Sequence, residues 1–241
     1  MVDKKVNFYN IYNKFVAYAL QSPALCGINL NGKVILDIGC WWGWFIKYAR
    51  GENAIVYGFD ADKRRIDDAI VFNGPKGLCV GDATKIPFKS SHFDFVFLWH
   101  VLEHINNPDK VLSEINRVLK KRGTLILGVP NDYNLATLPY RWVRCLLNRE
   151  NIHLGIKYYN FFKSLCYGDI NHKREYTKRS ICKELEKNGF EVSYIGIRGV
   201  DLPFPVRNIV NKRLRFYIQH RLDWLIVPLL RSAITVRAYK K

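Results

Sequence analysis

Five continuous apolar runs, each cut off by a turn-forming residue and mostly separated by helical patterns, occupy residues 33–129. Residues 33–38 (KVILDI) stop at Gly39, residues 54–59 (AIVYGF) at Asp60, and residues 124–129 (TLILGV) at Pro130; 77–80 and 93–98 (FDFVFL) are the other two. Runs of this length without polar alternation suit strands buried on both faces. Helical patterns at 44–50 and 63–72 follow the first two. Val111, Leu112, Ile115, Val118 and Leu119 then recur at helical spacing behind Pro108 and Asp109. Strands joined through single helices imply right-handed crossovers and a parallel sheet covered on both sides, an α/β fold.

After residue 131 this rhythm breaks. Residues 131–171 are rich in aromatics, and the pattern resumes with Thr177 as a helix cap, a helix over 178–188, Gly189 as its stop and a strand over 190–197. A second irregular stretch, 198–231, precedes a last strand at 233–239 (AITVRAY). One domain over 1–241 is expected, with 1–30 as a helical cover and 131–171 and 198–231 as inserted substrate or lid segments. Phe8, Ile11, Tyr12, Phe15, Val16 and Ala19 give the cover its amphipathic pattern. In the second insert, Val210, Leu214, Ile218, Leu222 and Leu225 share one helical side, with Lys212, Arg213, Arg215 and Arg221 elsewhere.

Composition narrows the class of protein. At 49% hydrophobic residues the chain can fill a sizeable core, so disorder is not the default reading. The six cysteines show no CxxC pair and no repeated spacing, which argues against a disulfide framework or zinc site and for a reducing compartment. No signal-peptide run or membrane-length apolar stretch is present, so a cytoplasmic location is expected, with peripheral attachment to a membrane open. Charge is uneven: residues 1–130 hold 17 Lys and Arg against 12 Asp and Glu, the remainder 21 against 9. A basic second half suits nucleic acid, anionic lipid or a phosphorylated small molecule, and charge alone does not choose.

Chemistry-bearing residues gather where the strands end. Gly39 and Gly43 flank the loop after the first strand, Asp60 ends the second, Asp82 follows the third, and Trp99 to His104 follow the fourth. In an open α/β sheet ligands bind beyond these carboxyl ends, and a carboxylate ending the second strand can accept from both hydroxyls of a ribose. Any one is weak, since loops after strands often carry Gly and Asp. Four in register are not.

Taken in order, LDIGCWWGWF, VYGFDAD, VGDATKIPF, FDFVFLWHVLEHINNP and RVLKKRGTLILGVPN resemble the class I S-adenosylmethionine-dependent methyltransferases, in their type 11-like branch. The resemblance is strong over about residues 30–130 and returns at HKREYTKRSICKELEKNGFEVSYIGI and ITVRAYKK. It implies a Rossmann-like sheet of seven strands in order 3-2-1-4-5-7-6, the last antiparallel, with S-adenosyl-L-methionine as cofactor. By position, Gly39 and the backbone of Cys40, Trp41 and Gly43 would face the methionine moiety, with Asp37 behind them near its ammonium. Asp60, with Ala61 beside it, would bind the ribose, Asp82 and Ala83 the adenine edge. Trp99 and His100 would floor the site below the sulfonium.

The glycine loop departs from the family pattern, GCWWG standing for GCGxG. Trp41 occupies a place where glycine permits positive φ, which costs a bulky residue on the order of 1 kcal/mol or more. Either the loop stays at negative φ with both tryptophans in the core, or Trp41 faces the cleft. His100 and His172 are the candidate general bases, since methyl transfer to oxygen needs a proton removed near neutral pH. HxxEH at 100–104 is not the HExxH metal spacing, and no metal is expected.

These readings point to O-methylation of a small-molecule, glycan or lipid-linked acceptor, with an anionic membrane surface as a further partner and nucleic acid ranked below. An RNA methyltransferase and a non-catalytic, methyltransferase-like partner subunit are the alternatives. Against RNA, LWHV lacks the Asn/Asp-Pro-Pro-aromatic box of amino-directed base methylation, and no Pro-Cys nucleophile pair occurs.

Overall fold

The computed structural model describes residues 24–25, 27–131, 172–200 and 231–241. The N-terminal cover and the basic helix expected near 206–227 lie outside these residues. Seven strands form one sheet in the order β3-β2-β1-β4-β5-β7-β6. The strands are β1 Val34–Ile38, β2 Ile55–Asp60, β3 Leu78–Val80, β4 Phe93–Trp99, β5 Leu119–Pro130, β6 Phe190–Val200 and β7 Arg231–Lys240. The four pairings from β3 through β5 are parallel. At the far edge Lys241 N–H donates to Gly189 O and Ser193 Oγ–H to Arg237 O. These two contacts pair ascending residues of β6 with descending residues of β7, so β7 runs back along its neighbour and the sheet is mixed. The expected order is thus found.

Each helix forms where the sequence marks it. Helix α1, Trp44–Gly51, starts at Gly43, whose φ of 78° lets the chain turn out of the loop, and it buries Trp44, Phe45, Ile46 and Ala49. Helix α2, Lys63–Asn73, is capped by Asp62, whose carboxylate accepts from Arg64 N–H, and stops at Gly74. Helix α3, Pro108–Val118, opens with proline in its first turn and with Asn107 accepting from Lys110 N–H. Its side chains Val111, Leu112, Ile115 and Val118 are fully buried, each worth about 1.5–3 kcal/mol. Helix α4 is Lys178–Lys187. Gly189 follows at φ 80°, as a helix stop requires.

Two compact units divide the chain: one of residues 1–129, 178–196 and 235–241, the other of 130–177 and 197–234. In the first, Phe45 stacks on Phe97 at 3.8 Å between ring centres, and Trp44 meets Phe97 edge-on at 5.7 Å. This aromatic seam fixes α1 against β4, which holds the loop between β1 and α1 at the sheet's carboxyl edge. In the second, Asn131 bridges to Tyr176. Among the described residues no helix is long and apolar enough to cross a membrane.

Candidate active site

A cavity of about 260 Å³ opens at the carboxyl ends of β1 and β4, within the first unit. Asp37, Gly39, Cys40, Trp41, Trp99 and His100, all named from sequence, line it together with Trp44, Arg65, Phe97 and Val101. Gly43, Asp60, Ala61, Asp82 and Ala83 are not in its lining. His172 belongs to the second unit.

The β1–α1 loop carries the departure from glycine. Trp41 sits at φ 50°, in the left-handed region that ordinarily favours glycine, with an indole attached. Of the two alternatives, the one with the loop at negative φ and both tryptophans in the core therefore fails. The loop is held to the end of β2 by three hydrogen bonds: Gly39 N–H and Cys40 N–H donate to Phe59 O, and Trp41 N–H donates to Asp60 Oδ2 at 3.1 Å. Trp41 remains 45% exposed at the cavity while Trp42 is buried against Phe72. The two tryptophans thus split between cleft and core. Gly39 allows a close approach: a Cβ there, at φ 69°, would lie 2.3 Å from Val101 Cγ2.

Two carboxylates stand behind the loop. Burial first, and the Asp60 charge second, push the Asp37 carboxyl well above the usual carboxylate range. Asp60, at the end of β2, uses Oδ2 for Trp41 N–H and Oδ1 for Asp62 N–H, with Arg65 Nη1 at 3.6 Å. Burial, with Asp37 and Asp60, pushes the Cys40 thiol up, so it stays protonated and is no nucleophile. Asp82 turns inward on its own loop. Its carboxylate accepts from Thr84 N–H and Thr84 Oγ1–H, bonds that hold it below the ordinary range.

Across the cavity, Trp99 stacks parallel to Phe97 at 5.4 Å and rests on Gly128, where any Cβ would strike the indole. His100 follows at φ 54°, its N–H donating to Gly128 O at 2.9 Å. Its Nδ1 lies 3.2 Å from Oε1 of Glu103, a fully buried carboxylate. Arg65, Trp44, Phe97 and Val101 were not named as site residues from sequence, and Glu103 was named only within the HxxEH pattern, as a metal-ligand resemblance that was set aside. Their side chains converge only once helices and strands are packed, although the LEH triplet put Glu103 one helical turn from His100.

This donor set fits S-adenosyl-L-methionine. A buried carboxyl whose ionised form lacks solvation would be relieved by a ligand's ammonium, and Asp37 lines the cavity beside the loop backbone at Gly39 and Cys40.

Residues 36–127 match the methyltransferase domain family. The ubiquinone biosynthesis O-methyltransferase of Glaesserella parasuis is 31% identical over 111 residues, covering 42% of this chain and 47% of that protein. The tRNA U34 carboxymethyltransferase of Desulfotalea psychrophila is 31% identical over 120 residues, 46% of this chain and 38% of that protein. The chain thus spans less than half the length of these curated relatives. In structure, an S-adenosylmethionine-dependent methyltransferase from Archaeoglobus fulgidus superposes with a TM-score of 0.62 at 18% identity, covering 98% of this chain and 99% of that one. That likeness is one of fold. Residues 36–127 thus carry a methyltransferase domain, and the sheet built around it has the strand order that the class I resemblance implies.

Proposed function

We propose that the protein transfers a methyl group from S-adenosyl-L-methionine to an oxygen of a small-molecule, glycan or lipid-linked acceptor. The observation that carries this reading is the β1–α1 loop: its backbone is left-handed at Trp41, tied to Asp60, with Asp37 buried behind it. When bound, the cofactor supplies an electrophilic methyl group on a sulfonium. Asp37 and the loop backbone would hold its amino-acid end, and Asp60 its ribose. Asp82 and Ala83 would meet the adenine, Trp99 would form the floor and Trp41 one wall. His100, half-exposed in the cavity, is placed to take the acceptor's proton. The similarity to a ubiquinone biosynthesis O-methyltransferase supports oxygen as the methylated atom. The tRNA carboxymethyltransferase relative and a net charge of +17 support an RNA acceptor as the second reading.

Calorimetry with S-adenosylhomocysteine tests the cofactor assignment. Asp60→Ala should weaken binding at least tenfold, because charge-assisted hydrogen bonds are worth roughly 1.5–3 kcal/mol each. Asp60→Asn keeps an acceptor for Trp41 N–H and separates loss of the loop tie from loss of the ribose contact. Unchanged affinity in a folded Asp60→Ala protein would refute the ribose role. Methyl-transfer assays on lipid, glycan and RNA extracts then choose the acceptor class.

A further inference from the structure

Glu103 is an acid in a place that penalises acids. It lies in the short 3-10 turn Leu102–His104, is 0% exposed, and sits between two histidines. His100 Nδ1 is 3.2 Å and His104 Nε2 4.0 Å from the same oxygen, Oε1, while Oε2 has no hydrogen-bond partner among the described residues. A buried carboxylate needs a donor, and the shorter contact identifies His100 as that donor. The pairing also fixes the imidazole. With Nδ1–H donated to Glu103, the neutral ring carries its lone pair on Nε2, and His100 lines the cavity. The backbone at φ 54° and the His100 N–H bond to Gly128 O keep the residue where this contact forms. Strain of this kind persists where the surroundings over-determine it.

We propose that Glu103 is a positioning residue, holding His100 in the Nδ1–H tautomer so that Nε2 can accept a proton from the acceptor. The inference rests on the methyl-transfer reading. As the acceptor's oxygen forms its bond to the methyl carbon, its O–H proton passes to Nε2. The electron pair of the broken C–S bond stays on sulfur, and the resulting imidazolium is faced by the Glu103 carboxylate. An acid orienting a histidine in this way gives the ring both its tautomer and its direction.

The test is nitrogen-15 NMR of the full chain labelled at histidine, above the imidazole titration range. His100→Gln identifies the His100 signal among the six histidines. In the wild-type protein His100 should show the Nδ1–H pattern. Glu103→Gln, whose amide can donate as well as accept, should lose it in favour of Nε2–H or an exchanging mixture. A wild-type His100 in the Nε2–H form overturns the inference, and does so even if Glu103→Gln does not fold. So does a folded Glu103→Gln protein that keeps the wild-type pattern. Calorimetry with S-adenosylhomocysteine on the wild type separates the two levels: absent binding removes the methyl-transfer reading and this inference with it, whereas binding together with an Nε2–H ring removes this inference alone.

Discussion

Trp41 and Trp42 are adjacent in sequence and opposite in surroundings. Trp42 is 3% exposed and meets Phe72 edge-on at 5.1 Å, so Trp42→Ala should cost about 3–5 kcal/mol. Thermal melts should register that as a fall of roughly 6–20 °C for a chain of this size. Trp41→Gly instead removes a bulky side chain from φ 50°, and about 1–2 kcal/mol of relieved strain offsets the packing that a half-exposed indole provides. Its melting point should stay within a few degrees of wild type. A collapse as large as that of Trp42→Ala would place Trp41 in the core after all. Asp37 poses the reverse problem. Its folded carboxyl binds its proton more tightly than an unfolded one, so between the two pKa values the native state holds more protons and stability falls as pH rises. Asp37→Asn removes that penalty. The variant should melt higher than wild type near neutral pH, with the gap closing as pH falls toward about 4, while its affinity for S-adenosylhomocysteine drops. Equal melting curves at neutral pH would show that the buried carboxyl carries no penalty.

The cofactor loop depends on elements that are distant in sequence. Asn73, the last residue of α2, donates through Nδ2 to Trp42 O, Gly43 O and Ala69 O, tying the loop to the helix end. Asn73→Ala leaves those loop carbonyls without this donor and should cost about 1–3 kcal/mol. Hydrogen exchange over residues 39–47 should quicken in the variant; exchange that speeds equally across the whole sheet would mean general destabilisation instead. Sequence reading located most elements because apolar runs and their stops coincide with strand ends. It failed at the start of β5, where Leu119 was counted with the helix and the strand was expected only from residue 124. The strand in fact starts at Leu119, which pairs with Phe93 across an irregularity, and Lys120 Nζ bonds Asp94 Oδ1 at 2.8 Å. Arg122, at φ 60°, absorbs the kink. Nothing in a charged triplet announces such a pairing, because its cause is a partner some 26 residues earlier.

At the scale of the whole molecule, charge is the property that structure alone does not explain. Net charge rises by 12 over residues 131–241, far more than over the first half. If this excess meets an anionic membrane, the protein should co-sediment with anionic but not neutral vesicles at low salt. Binding should weaken as screening shortens to roughly 8 Å at physiological ionic strength. Neutralising Lys212, Arg213, Arg215 and Arg221 together should remove the effect; RNA binding lost in the same variant would favour the RNA reading. The candidate site was legible to the extent that it lies on strand ends, where Asp37, Gly39, Trp99 and His100 fall. Phe97 and Arg65 escaped because each lies within a strand or helix pattern that reads as ordinary core or solvated face. One consequence of that convergence is optical. Three of the chain's six tryptophans, Trp41, Trp44 and Trp99, border a single cavity, and Trp99 is stacked on Phe97. A molecule entering that cavity alters the surroundings of half the fluorophores at once, so intrinsic emission can report occupancy, ligand by ligand, without a label.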